Sequence, residues 1–261
     1  LLFAQFDSSL SSDLDLAYSK LIADHTNQEL KVCKIFDHKG SLEASLEKIR
    51  FVARNSEELI SDMTFHATYK LAQAAKEQGY TVMLSGMGAD EVFCGYNKYR
   101  VLKYHKILRS LSSIITLIYK LRLYPKKYAK ILERLISFSR EKDWLKGYFH
   151  LNGYFTQREL SNFFLDADKL KEESFKALKN EVENELGGIT DRVKVAQHID
   201  LKGFLSHNLM VADKASMMAS VELRVPFLDE VVVAKGLQLN SVELVNLSAG
   251  KLPLKNIIKK K

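Results

Sequence analysis

Cysteine, proline and long apolar runs are all scarce in this chain of 261 residues, which has two cysteines and three prolines. Cys33 and Cys94 cannot build a disulfide framework or a cysteine-rich metal cluster, which favours a reducing, cytoplasmic setting. The longest apolar run, near residues 114–119, is far shorter than the ~20 residues of a membrane span. No signal peptide is visible, and we expect a fragment because the chain starts Leu-Leu. These absences predict no membrane partner.

Charge is distributed unevenly around a net value of +7. Residues 98–147 contain fourteen Lys or Arg and only three Asp or Glu, so this segment alone carries +11. Such a segment can attract nucleic acid, lipid head groups or a polyphosphate. Because basic residues interleaved with Leu and Ile are typical of amphipathic helices, we interpret it as a solvated helical face. Nucleic acid is disfavoured as a partner, since no zinc-ligand spacing or RNA-binding aromatic motif is present.

Short apolar segments near Leu1, Leu30 and Tyr80 alternate with stretches of helical period, and Gly79 is expected to end the helix before the third segment. This alternation predicts an α/β fold with a twisted parallel sheet of at least three strands. After Tyr96 the chain is helical in period. We therefore predict one domain, with an α/β nucleotide-binding part in residues 1–100 and a helical part in residues 101–261.

The stretch SGMGADE follows the third predicted strand, at the edge where open parallel sheets bind ligands. Ser85, Gly86 and Gly88 allow a tight turn, and amides at the start of the next helix suit phosphate. Asp90 offers the hard oxygen ligand that Mg²⁺ prefers. The structural alternative is a strand, a turn and a capped helix, because Asp90 and Glu91 are favourable in a first helical turn in any protein.

A second stretch, VADKASMMASVELRVPFLDE, threads charged residues through Met and Val between Val211 and Glu230. A helix with surface ion pairs would explain most of them. Arg224 and Asp229, however, flank an apolar stretch that a solvent-facing helix would not need.

Together, LSGMGADEVFCGY and VADKASMMASVELRVPFLDE resemble the synthetase domain of the asparagine synthase family, which includes asparagine synthetases and β-lactam synthetase. The resemblance implies a sheet of the adenine nucleotide alpha hydrolase-like type. It implies an ATP-dependent amide-forming ligase, which activates a carboxylate as acyl-AMP for attack by ammonia or an amine. ATP and Mg²⁺ would be its cofactors, and aspartate is one candidate carboxylate. A separate or missing glutaminase domain would supply ammonia.

The resemblance also implies roles for individual residues. Lys251, in the stretch KLPLK, and Glu91 would be catalytic, and Asp7 and Asp90 would bind the metal. The nucleotide and its phosphates would contact Asp7, Ser8, Ser9, Ile35, Leu84, Ser85, Gly86, Gly88, Asp90 and Lys255.

Departures from the family pattern bear on this assignment, and one of them is a short stretch near Arg54 and Ser56, where many members have several dozen residues. The first loop, FDSSLSSDLD, has no glycine where the family has S-G-G-x-D-S, and either Asp7 or Asp15 can be aligned with its aspartate. Met87 stands where asparagine-forming members often have Glu, and Val211 stands where a basic residue is usual. The alternative function is therefore a catalytically inactive relative or fragment serving as a binding module. A further alternative is an RNA-modifying nucleotide alpha hydrolase, against which ELRVPFLD argues.

Overall fold

The structure is a computed structural model that describes residues 1–5, 10–35, 42–55, 64–153, 155 and 157–259. The chain forms two compact units. The sheet unit comprises Leu1–Met87 and Phe204–Pro226, and the helical unit comprises Gly88–Gly203 and Phe227–Lys261. The predicted division into residues 1–100 and 101–261 differs from this partition and stays a prediction.

Helices dominate the described residues, and four short strands accompany them. No helix in these ranges is both long and apolar enough to cross a membrane. The described residues also contain two 3₁₀ turns, Lys126–Tyr128 and Pro226–Leu228. The elements in chain order are β1 (Leu2–Gln5), α1 (Leu10–His25), β2 (Lys31–Lys34), α2 (Leu42–Asn55), α3 (Thr64–Glu77), β3 (Val82–Leu84), α4 (Ala89–Val92), α5 (Asn97–Lys103), α6 (His105–Ser110), α7 (Ser112–Lys120), α8 (Ala129–Arg140), α9 (Trp144–Asn152), α10 (Gln157–Leu160), α11 (Ala167–Leu186), α12 (Arg192–Lys202), α13 (Phe204–Met218), β4 (Glu222–Arg224), α14 (Glu230–Gln238), α15 (Ser241–Leu244) and α16 (Leu252–Lys259).

The strands pair in parallel, as the alternation of strands and helices predicted. β1 pairs with β2, with Phe3 opposite Val32, and β3 pairs with β4, with Met83 opposite Leu223. The α/β class is therefore confirmed. The expected single sheet of at least three strands is not confirmed, because the described strands form two two-stranded sheets. β4 was not predicted, since three residues before a proline are too few to show a period.

The core of the sheet unit lies against α3. Ala72 and Ala75 of α3 pack with Val221, and Leu2 of β1 and Met83 of β3 contact the same cluster. The small alanine side chains allow the helix to approach both strands closely. α3 ends at Glu77, and Gly79 follows it with φ of 83°, which confirms the prediction that this glycine ends the helix.

Val211, which stands where the family usually has a basic residue, belongs to a second apolar cluster of the sheet unit. It is 1% exposed on α13 and packs with Val52, Phe65 and Ala215. A lysine or arginine in this environment would bury its charge without a partner, which is costly. The departure at this position is therefore accommodated by packing.

The core of the helical unit gathers around Val92, the last residue of α4, and around Phe93 and Cys94, which follow the helix. They pack with Tyr99 and Phe138, which are fully buried. Burial raises the pKa of the Cys94 thiol to about 12. Cys94 is therefore a small apolar core residue at neutral pH and not a nucleophile.

Candidate functional site

The turn that contains SGMGADE starts at the end of β3 and leads into α4, a helix of only four residues. Gly88 precedes α4 with φ of 87°, a conformation that side chains with a Cβ rarely adopt. A Cβ at this position would also overlap the side chain of Leu228. Gly88 is thus required by the backbone path and by its packing.

The first half of the turn borders a cavity of the sheet unit. Leu84, Ser85 and Gly86 line this cavity, whose volume is about 790 Å³. Leu84 is 74% exposed although it ends a strand, so its side chain faces open space. The amide of Ser85 donates to the Arg224 carbonyl oxygen at 2.8 Å, and Ser85 Oγ accepts from the Met87 amide at 3.3 Å. Three of the predicted nucleotide-contacting residues therefore share one cavity.

Of the other predicted nucleotide-contacting residues of the sheet unit, only Ile35 is among the described residues. Ile35 follows β2, is 3% exposed and is not among the residues that line the described cavity. Asp7, Ser8 and Ser9 lie outside the described residues. Asp15, the alternative to Asp7 in the first loop, is exposed on α1.

The helical unit brings together two residues that the motifs singled out far apart in the sequence. Lys251 Nζ lies 2.8 Å from Asp90 Oδ1, and both side chains remain about one-third exposed. The amide of Lys251 donates to the Phe93 carbonyl oxygen at 3.1 Å, which ties the lysine to the residues after α4. The pair therefore places a carboxylate and an ammonium side by side at a surface that a ligand can reach.

Lys251 adopts an unusual backbone conformation. Its φ of 54° lies in the left-handed region, which costs a residue with a Cβ about 1 kcal/mol or more. It stands immediately before α16, and the Lys255 amide donates to its carbonyl oxygen at 3.0 Å. The predicted phosphate ligand Lys255 is exposed one helical turn further along α16.

Two glycines that the sequence interpretation did not assign create the space for the pair. A Cβ on Gly95 would overlap Asp90 Oδ1 and Lys251 Cε, so the pair lies directly over the Gly95 backbone. A Cβ on Gly250 would overlap the Cys94 carbonyl oxygen. The signal for Gly95 was present in the motif FCGY, but only the fold shows what it contacts.

The adjacent acids Asp90 and Glu91 have different environments. Glu91 is 2% exposed, and its Oε1 accepts a hydrogen bond from the Tyr96 hydroxyl at 2.8 Å. Burial, together with this bond to the carboxylate, raises the pKa of Tyr96 well above its usual value, so the phenol stays a donor. Glu91 thus anchors the turn to the core, and its predicted catalytic role stays a prediction.

The donor set at Asp90 fits a magnesium ion that is bound mainly by substrate. Mg²⁺ is usually held by one or two carboxylates together with phosphate oxygens and water. Asp90 supplies one partly exposed carboxylate. No group of three or more His, Cys, Asp or Glu side chains in the described part of the chain could hold a metal by itself. Of the two predicted metal ligands, Asp90 therefore fits, and Asp7 cannot be placed.

The parallel strands define an α/β protein, and the acid–lysine pair of the helical unit is a candidate anion and metal site. Comparison with known proteins makes this more specific: the model of the family "Asparagine synthase" matches residues 4–261. The chain belongs to the asparagine synthase family.

A curated relative agrees with this family. "Asparagine synthetase [glutamine-hydrolyzing] 1" of Bacillus subtilis (strain 168) is 28% identical in an alignment of 183 residues that covers 63% of this chain and 25% of the relative. The chain thus matches about a quarter of the length of that protein. No solved structure matches the chain.

Proposed function

We propose that this chain is the synthetase part of an ATP-dependent amide-forming ligase. The observation that carries the proposal is the pairing of Asp90 with Lys251 at 2.8 Å, on a surface shaped by Gly95. Family membership supports the same reaction class. The carboxylate that is activated, for which aspartate is one candidate, and the nitrogen donor are not identified by these residues.

The proposed reaction has two steps. A carboxylate oxygen of the substrate attacks the α-phosphorus of ATP, the bond to the β-phosphate oxygen breaks, and pyrophosphate leaves with the electron pair. Ammonia or an amine then attacks the acyl carbon of the acyl-AMP, AMP leaves, and the nitrogen loses a proton. The Lys251 ammonium would stabilise the negative charge that develops on the phosphoryl oxygens. A magnesium ion held by Asp90 would supply further charge neutralisation at the phosphates.

The sheet unit would contact the nucleotide. Leu84, Ser85 and Gly86 line its cavity and present backbone groups, which suits an adenosine moiety that is recognised by shape and main-chain hydrogen bonds. We further infer one twisted sheet of the adenine nucleotide alpha hydrolase-like type. Leu2 of β1 and Met83 of β3 support this, since both contact the same cluster on α3.

ATP–pyrophosphate exchange with a panel of small carboxylic acids, including aspartate, tests the proposal. We expect exchange that requires Mg²⁺ and one of the acids. Asp90→Asn should lower it by about 10²–10³-fold, because a positioned charge is removed where phosphate is bound. Asp24→Asn, at an exposed position of α1, is the matched control and should leave exchange unchanged. Absence of MgATP binding to the wild-type chain in calorimetry would contradict the proposal.

The second candidate function is a catalytically inactive binding module with the same fold. The first loop favours it, because FDSSLSSDLD lacks the glycines that let backbone amides surround pyrophosphate. This candidate predicts a folded chain with neither exchange nor MgATP binding.

A further inference from the structure

A strongly one-sided charged region runs from α5 into α8. Residues 98–132 contain ten Lys or Arg and no Asp or Glu. Lys106, Arg109, Lys120, Arg122 and Lys126 are exposed, and within the described ranges no carboxylate lies at ion-pair distance from any of them. Lys130 differs, since it pairs with Glu159 at 3.0 Å. Five cations of this segment are thus exposed without an ion-pair partner among the described residues.

An apolar stripe runs along α7 between these cations. Ile114, Leu117, Ile118 and Leu121 are spaced as neighbours on one helix face, and they are 56%, 56%, 36% and 57% exposed. Leu123, in the turn that follows, is 69% exposed. α7 packs on α8, and Thr116, which is not part of the stripe, accepts a hydrogen bond from Arg140 of α8 at 3.2 Å. A contiguous apolar surface of this kind marks an interaction site more often than chance exposure.

Tyrosines accompany the stripe. Tyr119 and Tyr124 stack with ring centroids 5.5 Å apart and an angle of 6° between their planes, which fixes the turn after α7. Tyr128 is 44% exposed at the start of α8. Tyrosine is typical of the boundary between hydrocarbon and lipid head groups, where its ring is apolar and its hydroxyl is hydrated.

We propose that this surface, formed by α7 with Leu123 and the cations Arg109, Lys120, Arg122 and Lys126, binds anionic phospholipid membranes peripherally. An anionic bilayer accepts both features at once: the aliphatic stripe enters the acyl boundary, and the cations contact the head groups. Nucleic acid would use the cations and leave the aliphatic stripe in water. A second copy of this chain would bring the same uncompensated cations together, so charge complementarity favours lipid.

This proposal departs from the expectation of no membrane partner. That expectation rested on the lack of a segment long enough to span a bilayer. The basic segment was interpreted as a solvated helical face from its sequence pattern alone. The structure adds that the apolar residues between the cations are themselves exposed. α7 contains none of the residues of the proposed ATP site, so failure of the exchange assay leaves this inference standing.

Vesicle sedimentation tests the proposal with the whole 261-residue chain. One set of vesicles contains equal parts of phosphatidylcholine and phosphatidylglycerol, and the other contains phosphatidylcholine alone. The basic variant is Lys120→Gln, Arg122→Gln and Lys126→Gln together. The apolar variant is Ile114→Gln, Leu117→Gln and Leu121→Gln together.

Matched controls change residues elsewhere in the helical unit that are at least as exposed. Leu165→Gln, Val242→Gln and Leu247→Gln together remove three side chains that are 106%, 71% and 73% exposed. Lys169→Gln, Lys176→Gln and Lys259→Gln together remove three exposed cations. Circular dichroism of every variant checks that the fold is retained.

We expect the wild type to bind only the anionic vesicles, and added salt to weaken this binding. The basic variant should bind about 100-fold more weakly, since each cation near such a surface contributes about five-fold. The apolar variant should bind more weakly by a factor of about 10 or more. The controls should bind as the wild type does. Leu117→Trp should show a blue shift of tryptophan emission when anionic vesicles are added, because its indole leaves water.

Several outcomes would overturn the inference. They are no binding to anionic vesicles, equal binding to both vesicle types, or binding that the apolar variant leaves unchanged. Tighter retention on single-stranded RNA than on anionic vesicles would assign the cations to nucleic acid. Self-association that the apolar variant abolishes, in a chain that ignores vesicles, would assign the stripe to a second copy.

Discussion

Two lysine–aspartate pairs in the helical unit have the same distance and different surroundings. Lys98 Nζ and Lys251 Nζ each lie 2.8 Å from their aspartate, Asp200 and Asp90. The side chains of the first pair are 17% and 3% exposed, whereas those of the second are 30% and 36% exposed. Equal geometry therefore does not mean equal roles.

The buried pair is held from all sides. Asp200 also accepts from the Tyr148 hydroxyl at 2.7 Å, and Lys98 also donates to Asn152 Oδ1 at 2.9 Å. The Lys98 ammonium further lies 5.1 Å from the centre of the Tyr96 ring. In such a network the charged groups already have several protein partners, so we interpret this pair as structural.

The accessible pair is arranged differently. Its lysine has a strained backbone, and it lies over a glycine that leaves room around the two charged groups. Strain at an accessible charged residue in a motif motivates the hypothesis of a functional constraint. The comparison thus separates a structural ion pair from a candidate site, and the predictions below test that separation.

The largest effect is expected from breaking the buried pair. Lys98→Met should lower the free energy of unfolding by about 3–5 kcal/mol, because Asp200 would be left as a buried charge without its counter-ion. Urea denaturation measures this. Lys251→Met, the matched variant of the accessible pair, should change it by no more than about 1 kcal/mol, since Asp90 can be hydrated. Equal losses in the two variants would contradict the comparison.

The next effect concerns catalysis, and here the variant at Lys251 should lose more than the variant at Lys98. Lys251→Met should lower ATP–pyrophosphate exchange by about 10²–10³-fold, the usual cost of losing one preorganised group that stabilises transition-state charge. Lys98→Met should retain exchange per folded molecule, measured below its unfolding temperature. If both variants lost exchange to the same extent while folded, Lys251 would have no special catalytic role.

The sequence predicted the two members of the accessible pair but not the backbone conformation and packing around them. Asp90 and Lys251 both stood in recognisable motifs. The space over Gly95, the overlap at Gly250 and the left-handed backbone of Lys251 depend on how distant segments approach each other, which no local pattern records. Glu91 illustrates the same limit, because two adjacent acids look alike in sequence although one is buried and bonded to Tyr96.

The fold, too, could be predicted from the sequence only in part. β1, β2 and β3 were predicted near Leu1, Leu30 and Tyr80, because apolar segments between helices are a strong signal. β4 was missed, since its three residues are held by pairing with β3 and not by their own propensity. The exposure of α7 was missed because periodicity shows that a helix has an apolar face, but not whether that face is covered.

A smaller effect is expected from filling the space over Gly95. Gly95→Ala should destabilise the helical unit by about 1–3 kcal/mol and separate Asp90 from Lys251, because its Cβ would overlap both side chains. Exchange should fall in the same variant. Gly188→Ala is the control, since a Cβ there meets nothing within 4 Å. Unchanged stability and exchange in Gly95→Ala would show that the pair does not need this close approach.

The smallest effect isolates the backbone strain of Lys251. Lys251→Gly and Lys251→Ala both remove the ammonium, but only alanine keeps the penalty of a Cβ at φ of 54°. That penalty exceeds the extra chain entropy that glycine loses on folding, so the glycine variant should be more stable by up to about 1 kcal/mol. Paired urea denaturation curves resolve such a difference.

The same comparison of glycine with alanine at Lys98, in the buried pair, should give a stability difference of the opposite sign. Lys98 is in helix α5, where glycine is less favourable than alanine by about 1 kcal/mol, so Lys98→Gly should be less stable than Lys98→Ala. A glycine preference at 251 together with an alanine preference at 98 would show that lysine is kept at 251 against its backbone preference. An alanine preference at both positions would mean that Lys251 stores no strain, and the structural argument for its function would then rest on its approach to Asp90 alone.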